Sequence, residues 1–118
     1  MSASRRKGTA WESAVVEFLR EHGFPYAERR VLSGSLDRGD LTGLPGVMVE
    51  CKAEKSIDLA GYMDEVKVQT VNAGAQLGVA VVKRRNRPPK DAYVVMDLAT
   101  FAELLAEVGA LPVRVVGE

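Results

Sequence analysis

The chain has 118 residues and a mass of 12.8 kDa, with 47% hydrophobic and 27% charged residues, which sizes it for one domain with its own core and excludes wholesale disorder. Sixteen basic residues balance sixteen acidic ones, so the chain is no simple polycation, and a single cysteine and a single histidine exclude an internal disulfide and most zinc sites. No apolar run approaches the ~20 residues of a membrane span, and the opening Met-Ser-Ala-Ser-Arg-Arg-Lys lacks a hydrophobic signal stretch, so the expectation is a soluble, cytoplasmic single domain over residues 1–118.

In chain order, Trp11, Val15, Phe18, Leu19 and His22 follow the rhythm of an amphipathic helix from Lys7 to His22, preceded by six residues expected as a mobile basic arm. Trp11 lies on the apolar stripe and reads as core or dimer interface. Gly23 and Pro25 stop the helix. Ala27 to Leu32 reads as a strand, Ser33-Gly34-Ser35 as a loop, and Asp40 to Thr42 as a short strand before a turn at Gly43–Gly46. Val47 to Lys52 alternates cleanly: Val47, Val49 and Cys51 face one way, Met48, Glu50 and Lys52 the other.

Asp58 is a natural N-cap for a helix running to about Ala73, with Leu59, Met63, Val66 and Thr70 inward and Gly74 ending it. Leu77 to Val82 is nearly all apolar, as in a strand buried on both faces. Beyond a basic loop with Pro88-Pro89, Tyr93 to Met96 reads as another buried strand, Leu98 to Val108 as a helix and Val113 to Val116 as an edge strand. The order predicts an α/β fold, a mixed β-sheet flanked by helices.

Zero net charge conceals an uneven distribution. Arg5, Arg6 and Lys7 cluster at the start, Arg29 and Arg30 form a pair, and Lys83, Arg84, Arg85, Arg87 and Lys90 follow one another without an acid. Clusters of this kind attract a phosphate backbone through neutralisation and counterion release; an ordinary solvated surface is the alternative.

The chemistry-bearing stretch is Gly39-Asp40 followed, nine residues on, by Glu50-Cys51-Lys52. Glu50 and Lys52 share one sheet face, and Asp40, from the preceding strand of a hairpin, can reach it. Two carboxylates and an ammonium converging on one surface are costly unless something occupies the gap between them. Mg²⁺ suits, since one or two carboxylates plus waters and substrate phosphates usually hold it, and the lysine can then orient the water that attacks a phosphodiester. Glu12 lies ~100° around its helix from Trp11 and ~20° from Leu19, at the margin of the apolar stripe, where a carboxylate can reach the sheet edge. Cys51 reads as a small buried hydrophobe and His22 as a cap or packing residue.

Over about residues 7–85 this pattern resembles the PD-(D/E)XK nuclease superfamily, and within it the archaeal-type Holliday junction resolvases. The resemblance runs through Lys7-Gly8, Glu12, Phe18-Leu19, Gly23-Phe24, Arg29-Arg30, Ser33-Gly34, Asp40 and Glu50-Cys51-Lys52, and ends in a glycine-containing turn before a buried strand. It implies a restriction-endonuclease-like core, Glu12, Asp40 and Glu50 as acidic site residues and Lys52 as the catalytic lysine. Ser33 matches a loop serine found near the site in resolvases, and a Gln or Lys on the following helix joins the site in many relatives, which points to Gln69 or Lys67. Gly39 stands where the motif's name has proline.

The expectation is therefore a Mg²⁺-dependent, structure-specific DNA endonuclease, Mn²⁺ substituting, that resolves four-way junctions in recombination and repair. Asp40, Glu50 and the Cys51 backbone carbonyl would hold the metal with help from Glu12, and Lys52 would position the water. Resemblance implies 5′-phosphate and 3′-hydroxyl products, and the two-fold symmetry of a junction calls for a homodimer. The alternatives are the same chemistry on flaps, duplexes or ends, an inactive DNA-binding module of the same fold, and an oligomeric structural protein whose ion pairs are incidental.

Overall fold

The computed structural model describes residues 3–32 and 34–109, the side chains of residues 3–5 lying outside that description. In chain order the elements are α1 (Ala3–Glu21), β1 (Glu28–Arg29), β2 (Leu41–Thr42), β3 (Val47–Lys52), α2 (Leu59–Ala73), β4 (Leu77–Val82), a 3₁₀ turn (Pro89–Asp91), β5 (Tyr93–Val95) and α3 (Leu98–Gly109).

The alternation in β3 builds the layers. Val49, with Leu77 and Val79 of β4, packs on Trp11, Val15 and Val16 of α1, while Met48, with Ala80 and Val82, packs on Tyr62 and Val66 of α2. The sheet, ordered β3-β4-β5, is thus sandwiched between α1 and α2; β3 and β4 are parallel, with α2 as their crossover, and β4 and β5 antiparallel. A separate two-stranded antiparallel ribbon pairs Glu28 with Thr42 and Arg29 with Leu41. Trp11 is core, its indole N–H donating to the Val81 carbonyl at 3.1 Å. Among the described residues no helix is long and apolar enough to cross a membrane.

α2 has the expected caps. The Asp58 side chain accepts from the Gly61 amide at 3.0 Å, and left-handed Gly74 closes the other end. Its inward face, however, is Tyr62, Val66 and Gln69, and Leu59 is 53% exposed. The helix is rotated relative to the apolar periodicity because it packs over Glu50 and Lys52 as well as Met48, and a buried glutamine there finds polar partners that a leucine would leave unpaired.

Three other expectations are corrected. α1 begins at Ala3, so residues 3–6 of the expected mobile arm continue the helix, no breaker standing between Ala3 and Lys7. The Ala27–Leu32 strand shrinks to Glu28–Arg29, because its partner ends at Asp40, which turns towards β3, and Val31 and Leu32 are left exposed. Among the described residues β5 is a half-exposed edge strand paired to β4 alone, and an apolar run does not reveal whether a strand is edge or interior. α3 forms where expected but buries none of its residues. The strand read at Val113–Val116 lies outside the described residues.

Candidate functional site

The end of the loop before β2 lies against the free edge of β3. The Asp40 amide donates to the Val49 carbonyl at 3.0 Å, continuing a strand-like pairing, and its carboxylate then accepts the next available donor, the Cys51 amide, at 2.7 Å. Asp40 is therefore fixed by backbone at both ends. Gly39 makes this approach available. Its φ of +89° suits glycine alone, and an added Cβ would run into the Met48 sulfur and stand 3.1 Å from the Val49 carbonyl oxygen. A proline, confined to φ near −65°, cannot adopt that conformation.

Glu50 is the most buried charged-type side chain of the cluster, at 6% exposure, and Gln69 of α2, at 1%, donates its amide to it. The same amide donates to Asp37 at 2.8 Å, leaving the Gln69 carbonyl oxygen without a partner among the described residues. Asp37 caps the turn as well, accepting from the Gly39 amide at 3.0 Å, while its carbonyl accepts from the Asn72 side chain at 2.9 Å. One helix face thus grips both the acidic strand and the loop that carries Asp40.

Burial pushes the Glu50 carboxyl up to about 9, and the hydrogen bond and charge of neighbouring Asp40 add to it against the opposing pull of Gln69 and Lys52. Burial and the same Asp40 charge raise Glu12, although Arg29 reaches its carboxylate at 3.3 Å. Burial likewise raises the Cys51 thiol well above its usual range, with Asp40, Glu12 and Glu50 contributing, so this cysteine stays protonated and half-buried against the α1 side of the core. Three side chains raised by burial and by the charge of Asp40 mark a place short of positive charge.

Lys52 stands on the α2 side of this cluster. Its ammonium lies 2.8 Å from Glu65, 3.8 Å from Glu54 and 5.1 Å from the centre of the Tyr62 ring. Burial opposes its charge, but Glu65, Glu50 and Glu54 outweigh that and hold it raised and protonated. Tyr62 in turn donates to Glu54 at 3.1 Å.

Glu12, Asp40, Glu50, Cys51 and Lys52 all line one cleft of about 670 Å³. Of the accessory candidates, Gln69 touches Glu50, whereas Lys67 is exposed on another face of α2, beside Asp97 of the segment before α3, because a two-residue step turns it ~200° away from Gln69. Ser33 lies outside the described residues. Asp37, Glu54 and Glu65 were not foreseen. Asp37-Arg38-Gly39 carries the Asp-x-Gly signature of a side-chain-capped turn, and Glu65 sits four residues before Gln69 on the same helix face, so both were open to inference.

The basic clusters separate. Lys7, Lys83, Arg84, Arg85 and Arg87, joined by the unforeseen Lys55, line a neighbouring groove of about 730 Å³ that shares Lys7, Ala53, Glu54 and Lys55 with the cleft. Arg29 pairs with Glu12, and Arg30 donates to the Leu41 carbonyl at 3.4 Å, and neither lines the groove. Lys90 lies instead at an apolar groove between α1 and the sheet, because the 3₁₀ turn carries it away from the basic loop. Arg6 is exposed and lines none of these cavities, and the Arg5 side chain is outside the described residues.

Among the described residues no three carboxylate, thiol or imidazole side chains already converge at metal-ligating distance. The donor set nonetheless fits a hard divalent cation: adjacent Asp40 and Glu50 carboxylates, the second made strongly basic by burial and by the first, call for positive charge, and Mg²⁺ takes one or two carboxylates and completes its shell with waters and phosphate oxygens. No family model, no curated protein and no solved structure matches this chain.

Proposed function

We propose that this protein is a metal-dependent DNA endonuclease with a restriction-endonuclease-like core, hydrolysing phosphodiester bonds in branched DNA. The observation that carries the reading is the meeting of Asp40, Glu50 and Lys52 in one cleft that opens directly into a cation-lined groove. An ion-pair network serving stability alone would match charges; here two acids crowd together while the lysine is held to one side by Glu65.

Asp40 and Glu50 would hold Mg²⁺ or Mn²⁺ with the Cys51 carbonyl, and Glu12 would serve at the cleft's rim. The cation, when bound, supplies positive charge against the scissile phosphate and a more acidic water. Gln69 fixes the Glu50 carboxylate, and Asp40 is fixed by the Cys51 amide, so the donors are aligned before anything binds. Lys52 orients the attacking water and steadies charge developing on the phosphate, exchanging its contact with Glu65 for one with substrate.

Cleavage of a labelled four-way junction, a flap and a matched duplex, each with Mg²⁺ or EDTA, tests the reading. Cutting that is lost with EDTA and in Lys52→Ala is the expected result. Symmetric paired cuts confined to the junction would add resolution by a homodimer, the substrate that the resemblance implies. Tight junction binding with no cutting of any substrate would overturn the enzyme in favour of a binding module.

A further inference from the structure

We infer that the groove between the Lys83–Arg87 loop and the Ala53–Ile57 segment receives one unpaired DNA strand continuous with the strand in the cleft, making tailed or flapped DNA the preferred ligand. The inference rests on the nuclease reading for its biological sense but on the groove itself for binding.

Charge is the first argument. Six cations line the groove, from Lys7, Lys55, Lys83, Arg84, Arg85 and Arg87, against the single acid Glu54. Among the described residues only Arg87 of these six has an ion-pair partner, Asp91 at 3.2 Å. Five ammonium and guanidinium groups around one concavity, without an ion-pair partner among the described residues, repel one another and favour a polyanion.

The second argument is the wall. Tyr93, 47% exposed, lines the groove with the Arg84 guanidinium 5.0 Å from its ring centre, and half-exposed Ile57 lies on the same lining. An aromatic ring backed by a planar cation is a surface on which an unpaired base stacks, and a paired base inside a helix cannot reach it. Among the described residues β5 is an edge strand, which leaves Tyr93 open.

Fluorescence anisotropy in EDTA with a labelled 12-nucleotide single strand, a blunt duplex and the same duplex with a single-stranded tail tests this apart from cleavage. The tailed duplex should bind at least tenfold tighter than the blunt one. Arg84→Glu with Arg85→Glu should erase that advantage and lower the salt slope by about 1.4, two phosphate contacts at ~0.7 each on a single strand. Tyr93→Leu, which keeps an apolar β5 residue, should cost the tailed ligand about tenfold and leave blunt duplex unchanged, folding being checked by circular dichroism. Equal affinity for blunt and tailed DNA, or a tail preference untouched by these variants, would overturn the inference. A tail preference with no metal-dependent cutting of any DNA would instead uphold the groove and remove the nuclease.

Discussion

The acidic cleft and the basic groove lie side by side, share four lining residues, and are built in opposite ways. In the cleft each functional group is held by another: Asp40 by the Cys51 amide, Glu50 by Gln69, Gln69 by Asp37, Lys52 by Glu65. They stand on β3, on α2 and on a loop pinned to both. In the groove the cations stand on loops and on the first turns of α1, mostly exposed and, Arg87 apart, without ion-pair partners among the described residues. Under the proposed function the difference follows from what each would do. Groups that stabilise a transition state act only if they are aligned in advance, whereas phosphate-gripping cations act through a field and tolerate mobility. Single substitutions should therefore act steeply in the cleft and in shallow increments in the groove.

The largest effect tests that contrast directly. Lys52→Ala, Asp40→Asn or Glu50→Gln should each lower the rate of metal-dependent cleavage by about 10²–10⁴-fold, while affinity for the same DNA measured in EDTA falls no more than a fewfold. A comparable loss of binding in Lys52→Ala would mean that the lysine belongs with the groove cations and that the two regions are one surface.

Next in size is Gly39→Pro. At φ +89° proline is forbidden, and it would also remove the amide that donates to Asp37, so unfolding in urea should show a loss of about 3 kcal/mol or more. Improved stability would mean that the loop ahead of Asp40 can be rebuilt without cost, contrary to a cleft aligned in advance.

Much of the molecule was legible in its sequence because one physical rule sufficed at each point. Period-two alternation assigns the two faces of β3, and Asp58 and Gly74 delimit α2 by local capping chemistry. Side-chain parity puts Glu50 and Lys52 on one face as expected, but the expected hairpin is not there: β2 pairs with β1, and Asp40, just before β2, reaches β3 through its amide to Val49 and its carboxylate to Cys51. What was not legible depended on the rotation of an element or on the absence of a neighbour. The buried side of α2 could not be read from apolar spacing, because its inward residue Gln69 is polar and is satisfied only by groups 19 and 32 residues away. Tyr93 and Val94 looked buried because β-branched and aromatic residues fill edge and interior strands alike. Lys55 gained a role only when the chain brought its loop beside the one from Lys83 to Arg87.

The raised Glu50 carboxyl makes a third prediction, smaller and specific in sign. Its carboxyl titrates near 9 in the folded protein and near its ordinary 4.5 when unfolded, so the folded state binds the proton more tightly. The stability that this proton confers is present in full below pH 4.5 and is lost progressively as pH rises towards 9. In EDTA, Glu50→Gln should therefore melt higher than the wild type at pH 8, by about 1–3 kcal/mol, and the gap should close at pH 4. A divalent cation should oppose the loss by displacing the proton, so Mg²⁺ or Mn²⁺ should raise the wild-type melting temperature more at pH 8.5 than at pH 6 and leave Glu50→Gln nearly unmoved. A cation response independent of pH and of Glu50 would place the metal elsewhere.

The smallest effect lies within the groove, where Arg85 and Arg87 differ in a single respect. Arg87 is engaged by Asp91 in an exposed i, i+4 pair and must leave it to meet a phosphate, whereas Arg85 has no such partner among the described residues. An exposed pair of this kind contributes only about 0.3–0.5 kcal/mol, so Asp91→Asn should hardly change stability. Released from it, Arg87 should add close to one phosphate contact, tightening single-strand binding two- to threefold and steepening the salt dependence by ~0.7. Arg85→Ala should move the same two quantities the opposite way. If Asp91→Asn weakens binding instead, the acid is holding Arg87 in its binding position, and the groove is aligned in advance like the cleft beside it.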